Sequence, residues 1–228
     1  REYGIRDLML LDDNFILNRK KLFDTCDGMV KEKMNLTWYC MGHARFMTEE
    51  RLRKIREAGC WFIEMGIESG CDRILKVLKK NTTKDEIAAA VRTARSVGLK
   101  VKGNFIFGLP TETKESLDET IDFAAGIGLS YFQQNFLTIW PGCELATDPE
   151  RYGRAITDWG AMAHQRITFV PHGLTEEDLL AASRKAFRRF YLRPGVILAI
   201  LASLRSPRAL VTTGVAALTF LKTIGRRR

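Results

Sequence analysis

The sequence lacks any closely spaced pair of cysteines. Its five cysteines include no C-x-x-C or C-x-x-x-C pair, and they stand at Cys26, Cys40, Cys60, Cys71 and Cys143. This spacing excludes a cysteine cage for zinc or for an iron–sulfur cluster built from this chain alone. A disulfide framework is equally unexpected in an odd set within a chain of 228 residues, so a reducing cytosol is the expected compartment.

Acidic residues are absent from the last fifty positions. Residues 179–228 hold 11 basic side chains and no acidic one, whereas residues 1–178 hold 25 basic and 27 acidic ones. The net charge of +9 therefore belongs to the C-terminal segment and says little about the main body. The segment also lacks the aromatic and basic interleaving of a nucleic-acid platform, so we do not expect nucleic acid as a partner.

No apolar run in the sequence reaches the length of a membrane span, which takes about 20 residues. Residues 194–224 contain two apolar runs, of about 11 and 13 residues, separated by Arg205 to Arg208. Residues 194–228 therefore form a basic, apolar helical tail. One interpretation is an amphipathic anchor on an anionic membrane surface, which would make the protein a peripheral membrane protein. The other is a pair of helices packed on the main body, and both stay open.

Apolar runs alternate with helical patterns at intervals of about 25–40 residues. The runs cover residues 5–11, 36–41, 61–67, 99–107 and 130–139, and helical stretches lie between them at about 18–33, 48–58, 71–79, 84–97 and 114–125. This rhythm is typical of right-handed βαβ units and predicts an α/β fold with a parallel sheet. Such sheets carry their chemistry on the loops that follow the carboxyl ends of the strands.

Polar and glycine-rich residues are concentrated in those loops, which read LDDNF, CMGHAR, GIESG, GLPTET and TIWPG. Their gathering at one end of five strands indicates a ligand site. In the first loop, Asp12, Asp13 and Asn14 suit a divalent metal or the amine of a ligand, and equally an N-cap cluster for the next helix. His43 lies in the second loop.

The third and fourth strands carry polar residues within apolar patterns. Glu64 and Glu68 flank Gly66 on one face of a buried strand, where each charge needs a partner. Glu68, at the end of the strand, is the better candidate for a ligand contact. Asn104 is an amide inside an apolar strand, and Gly108 after it allows a flat group to approach the backbone.

Taken in order, these segments resemble the radical S-adenosylmethionine superfamily, most closely the branch that often carries a cobalamin-binding domain in front of the barrel. The resemblance rests on LMLLDDNF, CMGHARFMTEERLRKIREAGC, FIEMGIESGCDRILKVLKKNTT, VKGNFIFGLPTETKESLDETIDFA and FLTIWPGCELA, with FVPHGLTEEDL and RRFYLRP farther along. It covers residues 1–146 continuously. GIESG followed by the GNFIFGLPTET block is the specific combination.

The resemblance implies a partial parallel (β/α) barrel with a C-terminal helical extension. It also implies a [4Fe–4S] cluster and S-adenosylmethionine, whose reductive cleavage by an external electron donor gives a 5′-deoxyadenosyl radical, with cobalamin as a further cofactor of this branch. The expected substrate is an organic small molecule or a lipid-like one. The family's C-x-x-x-C-x-x-C loop has no counterpart here. We therefore expect the chain to begin in mid-domain, after the first barrel strand, with the cluster ligands upstream and no activity on its own.

The resemblance also implies roles for six residues. Asp12, Asp13 and Asn14 match the loop that holds the methionine amine, Glu68 matches a polar residue that meets the ribose, and Lys80 a basic residue that meets the carboxylate. Asn104 matches a polar residue near the ribose or adenine. Asn104 also replaces the first glycine of the family's G-x-I-x-G-x-x-E pattern, in which Glu112 stands one position late, and this weakens any role for Glu112.

We expect three regions: a barrel core over 1–146 with strands two to six of the family's barrel, a C-terminal extension of that core over 147–193, and the tail over 194–228. No catalytic residue and no metal ligand is assigned. Two alternatives remain. One is a non-radical barrel lyase or aldolase that uses Asp12 and Asp13 with a metal, and the other is a membrane-surface binding module.

The cysteines are expected to be structural. Cys26 and Cys60 occupy positions typical of small buried hydrophobes, and Cys40 and Cys143 follow strands at the predicted rim. Cys71 lies near a helix N-terminus, a position that lowers the pKa of a thiol.

Overall fold

A computed structural model of the chain describes residues 3–155 and 166–203. The helices and strands are, in order, β1 (Asp7–Leu10), α1 (Arg19–Lys31), β2 (Thr37–Met41), α2 (Glu49–Glu57), β3 (Cys60–Glu68), α3 (Asp72–Val77), α4 (Lys84–Ser96), β4 (Lys100–Phe107), α5 (Lys114–Gly126), β5 (Tyr131–Phe136), α6 (Glu144–Thr147), β6 (Gly153–Ala155), β7 (Phe169–Pro171), α7 (Glu176–Tyr191) and α8 (Pro194–Ser203). Short 3-10 turns cover Ala44–Phe46 and Pro149–Arg151.

The first five strands form one sheet in the order β1-β2-β3-β4-β5, and every pairing is parallel. The predicted parallel α/β sheet is therefore confirmed. Because neighbouring strands run in the same direction, all five loops that follow them lie at one edge of the sheet, which we call the rim. β6 and β7 form a separate antiparallel pair.

Local sequence signals start and stop the helices. Thr83, Thr113 and Thr175 each cap a helix and form a capping box with the residue three positions later. Gly59 and Gly98 adopt positive φ directly after α2 and α4, a conformation that favours glycine. These signals make the helices α2, α4 and α5 begin and end close to where the sequence predicts.

The two faces of the sheet differ in polarity. On β4, Val101, Gly103, Phe105 and Phe107 are buried and alternate with partly exposed residues on the opposite face. The buried face packs against the helices and forms the main hydrophobic core. The opposite face, which we call the inner face, carries the polar side chains of β3, β4 and β5, so it is the face on which a ligand site is possible.

Helix α7 continues the core of the sheet. The ring of Phe190 stacks on that of Phe132 in β5 with centroids 5.4 Å apart. Tyr191 donates its hydroxyl to the Phe132 carbonyl at 2.7 Å and accepts from the Phe132 N–H at 3.3 Å. Leu179 and Ala186 of the same helix are also buried in that core. The predicted C-terminal helical extension is thus present and packed on the sheet.

The outer strands are shorter than the apolar runs that predicted them. β1 covers four residues rather than 5–11, because it lies at the edge of the sheet and pairs with β2 over those four only. β5 ends at Phe136 rather than at 139. Leu137 still donates its N–H to the Phe107 carbonyl, and the Trp-Pro-Gly turn then leads the chain away from the sheet.

Of the predicted tail, the structure describes the part that forms α8, and residues 204–228 lie outside the described residues. Leu198 is 65% exposed and Leu201 56% exposed on α8. Within the part of the chain that the structure describes, no helix combines the length and the apolar character of a membrane span.

Candidate functional site

The loop after β1 docks onto the end of β2 through Asn14. The Asn14 side-chain oxygen accepts the N–H of His43 at 3.4 Å, and Phe15 donates its N–H to the Met41 carbonyl at 3.1 Å. Asp12 accepts the N–H of Asn14 at 3.1 Å in a local turn. Both Asp12 and Asp13 are exposed at the rim. The structure therefore leaves carboxylate oxygens accessible there, while the Asn14 oxygen has a structural partner.

A partly buried ion pair at the rim joins Glu68 to Lys80. The Lys80 Nζ lies 2.8 Å from Glu68 Oε1, and the side chains of Glu68 and Lys80 are only 22% and 20% exposed. Lys79 adopts a positive φ directly after α3, and Lys80 donates its N–H to the Leu75 carbonyl. This tight turn brings the Lys80 side chain back to the end of β3. The predicted pair of site residues is thus brought together, with opposite charges facing each other.

Gly66 provides a flat patch beside this pair. A Cβ atom added to Gly66 would lie 2.6 Å from Glu68 Oε1 and 3.4 Å from Lys80 Nζ. Any larger residue would therefore push the Glu68 carboxylate away. The absence of a side chain at Gly66 therefore lets Glu68 and Lys80 lie over the backbone of β3 on the inner face.

Asn104 lies opposite Gly66 in the register of β3 and β4. Its amide nitrogen donates to Glu64 Oε2 at 3.4 Å, and the same oxygen accepts from Lys102 Nζ at 3.2 Å. Lys102 is therefore the partner that the buried-strand pattern required for Glu64. Asn104 Oδ1 is buried and has no hydrogen-bond partner within residues 3–155 and 166–203.

His43 belongs to the same region of the rim. Its Nδ1 accepts the N–H of Arg45 at 3.3 Å, which closes the short turn after β2. Burial, followed by the positive charges of Lys80 and Arg45, lowers the pKa of His43 below its usual value. Because its Nδ1 closes this turn, we assign the imidazole a structural role in the loop.

Glu112 organises the loop after β4, a role that the sequence did not reveal. Glu112 Oε2 accepts the N–H of Gly108 at 2.6 Å and that of Leu109 at 3.1 Å. Its side chain is 1% exposed, and burial raises the pKa of the carboxyl to about 7. Gly108 and Thr111 both have positive φ in this turn. The sequence signal that could have indicated this role is an acidic residue four positions after Gly108, the glycine that follows β4.

The glycine-rich loop after β3 is anchored to α5. Thr120 Oγ1 accepts the N–H of Gly70 at 3.0 Å and lies 3.1 Å from Ser69 Oγ. Ser69 Oγ in turn accepts the N–H of Cys71 at 3.2 Å. These hydrogen bonds hold the chain rigidly between Glu68 and the start of α3. Sequence reasoning missed Thr120 because a single threonine inside a helix carries no distinctive signal.

The cysteines and acids form no metal centre in the described residues. There, no three His, Cys, Asp or Glu side chains come together as possible metal ligands. Cys40 lies within β2 and is fully buried, so its expected place at the rim is wrong. The strand continues one residue past Cys40, and the alternation of the strand turns its side chain toward the core.

The charged and polar groups of the rim suit one ligand chemistry. A cation (Lys80), carboxylates (Asp12, Asp13 and Glu68) and a buried amide oxygen without a partner (Asn104) lie at or near the rim. A zwitterion needs an acceptor for its ammonium and a cation for its carboxylate, and a ribose needs hydrogen-bond acceptors for its hydroxyls. The residues present therefore fit S-adenosylmethionine.

Comparison with protein families and with curated proteins gives one consistent result. A model of the Radical SAM superfamily matches residues 1–124. The uncharacterized methyltransferase PH0819 of Pyrococcus horikoshii is 32% identical over 198 residues, which cover 86% of this chain and 43% of that protein. The anaerobic magnesium-protoporphyrin IX monomethyl ester cyclase of Cereibacter sphaeroides is 28% identical over 196 residues, 84% of this chain and 32% of that protein. The chain thus spans less than half the length of these relatives.

Solved structures share the fold. The cobalamin-dependent S-adenosylmethionine radical enzyme OxsB with aqua-cobalamin bound superposes with a TM-score of 0.61 at 18% identity, over 94% of this chain and 38% of that one. The radical S-adenosylmethionine methyltransferase TsrM from Kitasatospora setae, with cobalamin and a [4Fe-4S] cluster bound, gives 0.58 at 21% identity, over 83% and 38%. At these identities the likeness establishes the fold, an open parallel barrel.

Proposed function

This chain belongs to the radical SAM superfamily, and from that membership we propose that it supplies much of the S-adenosylmethionine site of an enzyme that modifies an organic substrate. The observation that carries the proposal is the partly buried pair of Glu68 and Lys80 beside Gly66 at the rim. Opposite charges held partly buried over the backbone of a glycine offer a cation for a ligand carboxylate and an acceptor for a ligand hydroxyl. An exposed surface pair would lack this burial.

Each candidate residue has a defined part in holding the ligand. Lys80 provides the cation for its carboxylate, and Asp12 and Asp13 provide acceptors for its ammonium. Glu68 accepts from a ribose hydroxyl, and Asn104 accepts from a donor on the ribose or the adenine. Asn14 holds the loop of Asp12 and Asp13 against β2 through the His43 N–H. Binding replaces water around these groups with fixed partners, which is how a protein positions a reactive cofactor.

The chemistry belongs to the cofactors. When bound, S-adenosylmethionine together with a reduced [4Fe–4S] cluster supplies a 5′-deoxyadenosyl radical. The five cysteines of this chain have no cluster spacing, so the proposal places the cluster ligands on another part of the same protein and expects no activity from these residues alone. Cobalamin is proposed as a second cofactor because the structural neighbours TsrM and OxsB have cobalamin bound.

The proposed reaction is the methylation, cyclisation or rearrangement of a small organic molecule, with an external electron donor as partner. Methyltransferases and a cyclase among the relatives support this range. We also propose the division into a barrel core over 1–146, an extension over 147–193 and a tail over 194–228. The packing of α7 on β5 supports the second region as part of the core.

The direct test uses the longer protein that carries this chain, with its cluster reconstituted. S-Adenosylmethionine binding is measured by equilibrium dialysis, and 5′-deoxyadenosine is measured after reduction. We expect both in the wild type, and we expect binding to fail in the double variant Glu68→Ala, Lys80→Ala. Unchanged binding in the folded double variant would refute the assignment of this site.

A second proposed function concerns the tail, which we propose to contact an anionic membrane surface. Helix α8 is apolar throughout and exposes Leu198 and Leu201. A groove of about 670 Å³ beside it is lined by Arg184, Lys185, Arg188, Arg189 and Arg193. The apolar run that contains this helix is about 11 residues long and ends at Arg205, short of the about 20 residues that span a bilayer core, so we propose that it lies in the interface.

Vesicle sedimentation of the full chain tests the membrane proposal. We expect binding to phosphatidylglycerol-containing vesicles, weaker binding to pure phosphatidylcholine, and loss of binding in Leu198→Asp. Val30→Asp on α1, where the side chain is 53% exposed, is the matched control. Equal binding of wild type and Leu198→Asp, or no binding to either vesicle, would contradict the proposal.

A further inference from the structure

Glu64 collects two hydrogen bonds on a single oxygen in the middle of the inner face. Its Oε2 accepts from Lys102 Nζ at 3.2 Å and from Asn104 Nδ2 at 3.4 Å. The side chains of Glu64 and Lys102 are only 14% and 21% exposed. Glu64 pairs in register with Lys102, and Gly66 pairs with Asn104, one step closer to the rim. The Glu64 carboxylate therefore lies between the Lys102 ammonium, at the same register position of the sheet, and the Asn104 amide, at the next position toward the rim.

This contact fixes which way the Asn104 amide points. A carboxylate accepts hydrogen bonds and donates none, so it must face the NH₂ group of Asn104 and not the oxygen. The Asn104 oxygen is then turned away from Glu64. It is buried and finds no partner in the described part of the chain, and the facing residue of β3 is Gly66, which has no side chain to offer one. A buried acceptor in this state needs a donor.

We propose that Glu64 is a positioning residue that fixes Asn104 as a hydrogen-bond acceptor, so that the site selects a nucleoside bearing an N–H or O–H donor at this place. The inference rests on the proposed function, because the donor is taken to belong to S-adenosylmethionine. Lys102 contributes by neutralising the charge of Glu64 and by occupying the same oxygen. Glu64 itself touches no ligand in this arrangement.

Replacing Glu64 by leucine gives a specific expectation. Leucine is close to glutamate in size but accepts no hydrogen bond, so nothing then holds the NH₂ group of Asn104 toward β3. The Asn104 amide is free to turn and no longer presents its oxygen to the ligand as a fixed acceptor. Glu64→Gln is the matched control, because its amide oxygen can take the place of Oε2 and accept from both Lys102 and Asn104.

The experiment measures binding only, in the longer protein with its cluster reconstituted. The probes are S-adenosylmethionine and two analogues that each lack one donor, the 2′-deoxyribose analogue and the N6,N6-dimethyladenine analogue. In the wild type we expect at least one analogue to bind about tenfold or more weakly, since a site built for a donor rejects a ligand without it. In Glu64→Leu we expect this ratio to fall close to one, chiefly because S-adenosylmethionine itself binds more weakly, whereas Glu64→Gln should keep the wild-type ratio.

Asn104→Ala provides the second arm. It should abolish the same discrimination, and adding Glu64→Leu to it should change the ratio no further, because the two residues act as one unit. Retention of the wild-type ratio in folded Glu64→Leu would overturn the inference, as would a wild type that does not discriminate. If the wild type fails to bind S-adenosylmethionine at all, the proposed function fails first, so the two failures are distinguishable.

Discussion

Lys80 Nζ lies 2.8 Å from Glu68 Oε1, although the two residues are separated by the whole of α3. Glu68 ends β3 with a positive φ, and the turn at Lys79 returns the chain to it. Each group thus satisfies the charge of the other over the backbone of Gly66. A ligand that brings a carboxylate to Lys80 and a ribose hydroxyl to Glu68 would give each group a new partner in exchange.

Replacing Glu68 by alanine should weaken S-adenosylmethionine binding by roughly 1–3 kcal/mol, the range for a lost hydrogen bond to a buried or charged partner. Equilibrium dialysis on the cluster-loaded protein measures this change. Glu144→Ala is the control, because Glu144 also pairs with a lysine of the same loop, Lys79, but is 76% exposed. We expect no change in that variant. An unaltered affinity in Glu68→Ala, with the cluster intact, would remove Glu68 from the site.

Two glycine substitutions should separate binding from stability. A Cβ at Gly66 meets the Glu68 carboxylate, whereas a Cβ at Gly103 meets Leu129 at 2.7 Å and Ile67 at 2.8 Å in the core. Gly66→Ala should therefore displace the carboxylate and weaken ligand binding with little loss of stability. Gly103→Ala should overpack the core and cost about 1–3 kcal/mol of unfolding free energy. Chemical denaturation gives the unfolding free energy of each variant, and dialysis gives its ligand affinity. Equal changes of both quantities in the two variants would contradict the prediction.

The sequence predicts the sheet and its rim well because both depend on local patterns. Apolar runs and cap residues mark the strands and helices, and parallel topology then places every loop at one edge. The contact between Glu68 and Lys80 was expected only as two separate ligand contacts. Their pairing depends on the left-handed turn at Lys79, which no pattern of side chains specifies.

The anchors of the loops were beyond the reach of sequence reasoning for a similar reason. Thr120 accepts a backbone N–H from the loop after β3, and Glu112 accepts two backbone N–H groups of its own turn. Such contacts depend on how α5 packs against the loop after β3 and on the path of the turn after Gly108. The sequence pattern specifies neither the packing of α5 nor the path of this turn.

Thr120→Val should destabilise the protein by about 1–3 kcal/mol for each buried group left unpaired. The variant keeps the shape of the side chain but removes the acceptor of the Gly70 N–H and the partner of Ser69. Thr120→Ser retains the hydroxyl and should lose much less. Urea unfolding of the two variants compares the hydroxyl with the methyl group. If the serine variant is the less stable one, the methyl group rather than the anchor stabilises this loop.

Glu112→Gln should change how stability depends on pH. Burial raises the pKa of Glu112 to about 7 in the folded protein, above the value of the unfolded chain. The folded state therefore binds the extra proton more tightly, and its contribution to stability is complete below about pH 4.5 and is lost as pH rises through about 7.

Wild type should thus lose roughly 3 kcal/mol from this group between those limits, a figure that follows from the shift at about 1.4 kcal/mol per pH unit. Glutamine cannot ionise and keeps an oxygen for the Gly108 and Leu109 N–H groups. The variant should match wild type near pH 4 and exceed it at pH 8. Unfolding free energies at the two pH values decide the matter, and parallel curves for both proteins would exclude Glu112 as the titrating group.

The five cysteines should be dispensable for the cluster, although a radical enzyme invites a role for each. Cys26, Cys40, Cys60 and Cys71 are buried, and Cys143 is exposed. Burial raises the pKa of the Cys26 thiol to about 12, and burial also raises that of Cys71 despite its place at the start of α3. Cluster ligands are thiolates, so these environments oppose ligation.

Replacement of all five by alanine or serine in the longer protein should therefore leave its iron content unchanged after reconstitution. Three of the side chains are fully buried in the core, so the variant should lose some stability, and circular dichroism must establish that it is folded before iron is measured. A protein with every cysteine of residues 1–228 intact is the reference. Loss of the cluster from a folded variant would mean that this chain supplies a ligand, because no other thiol has been changed.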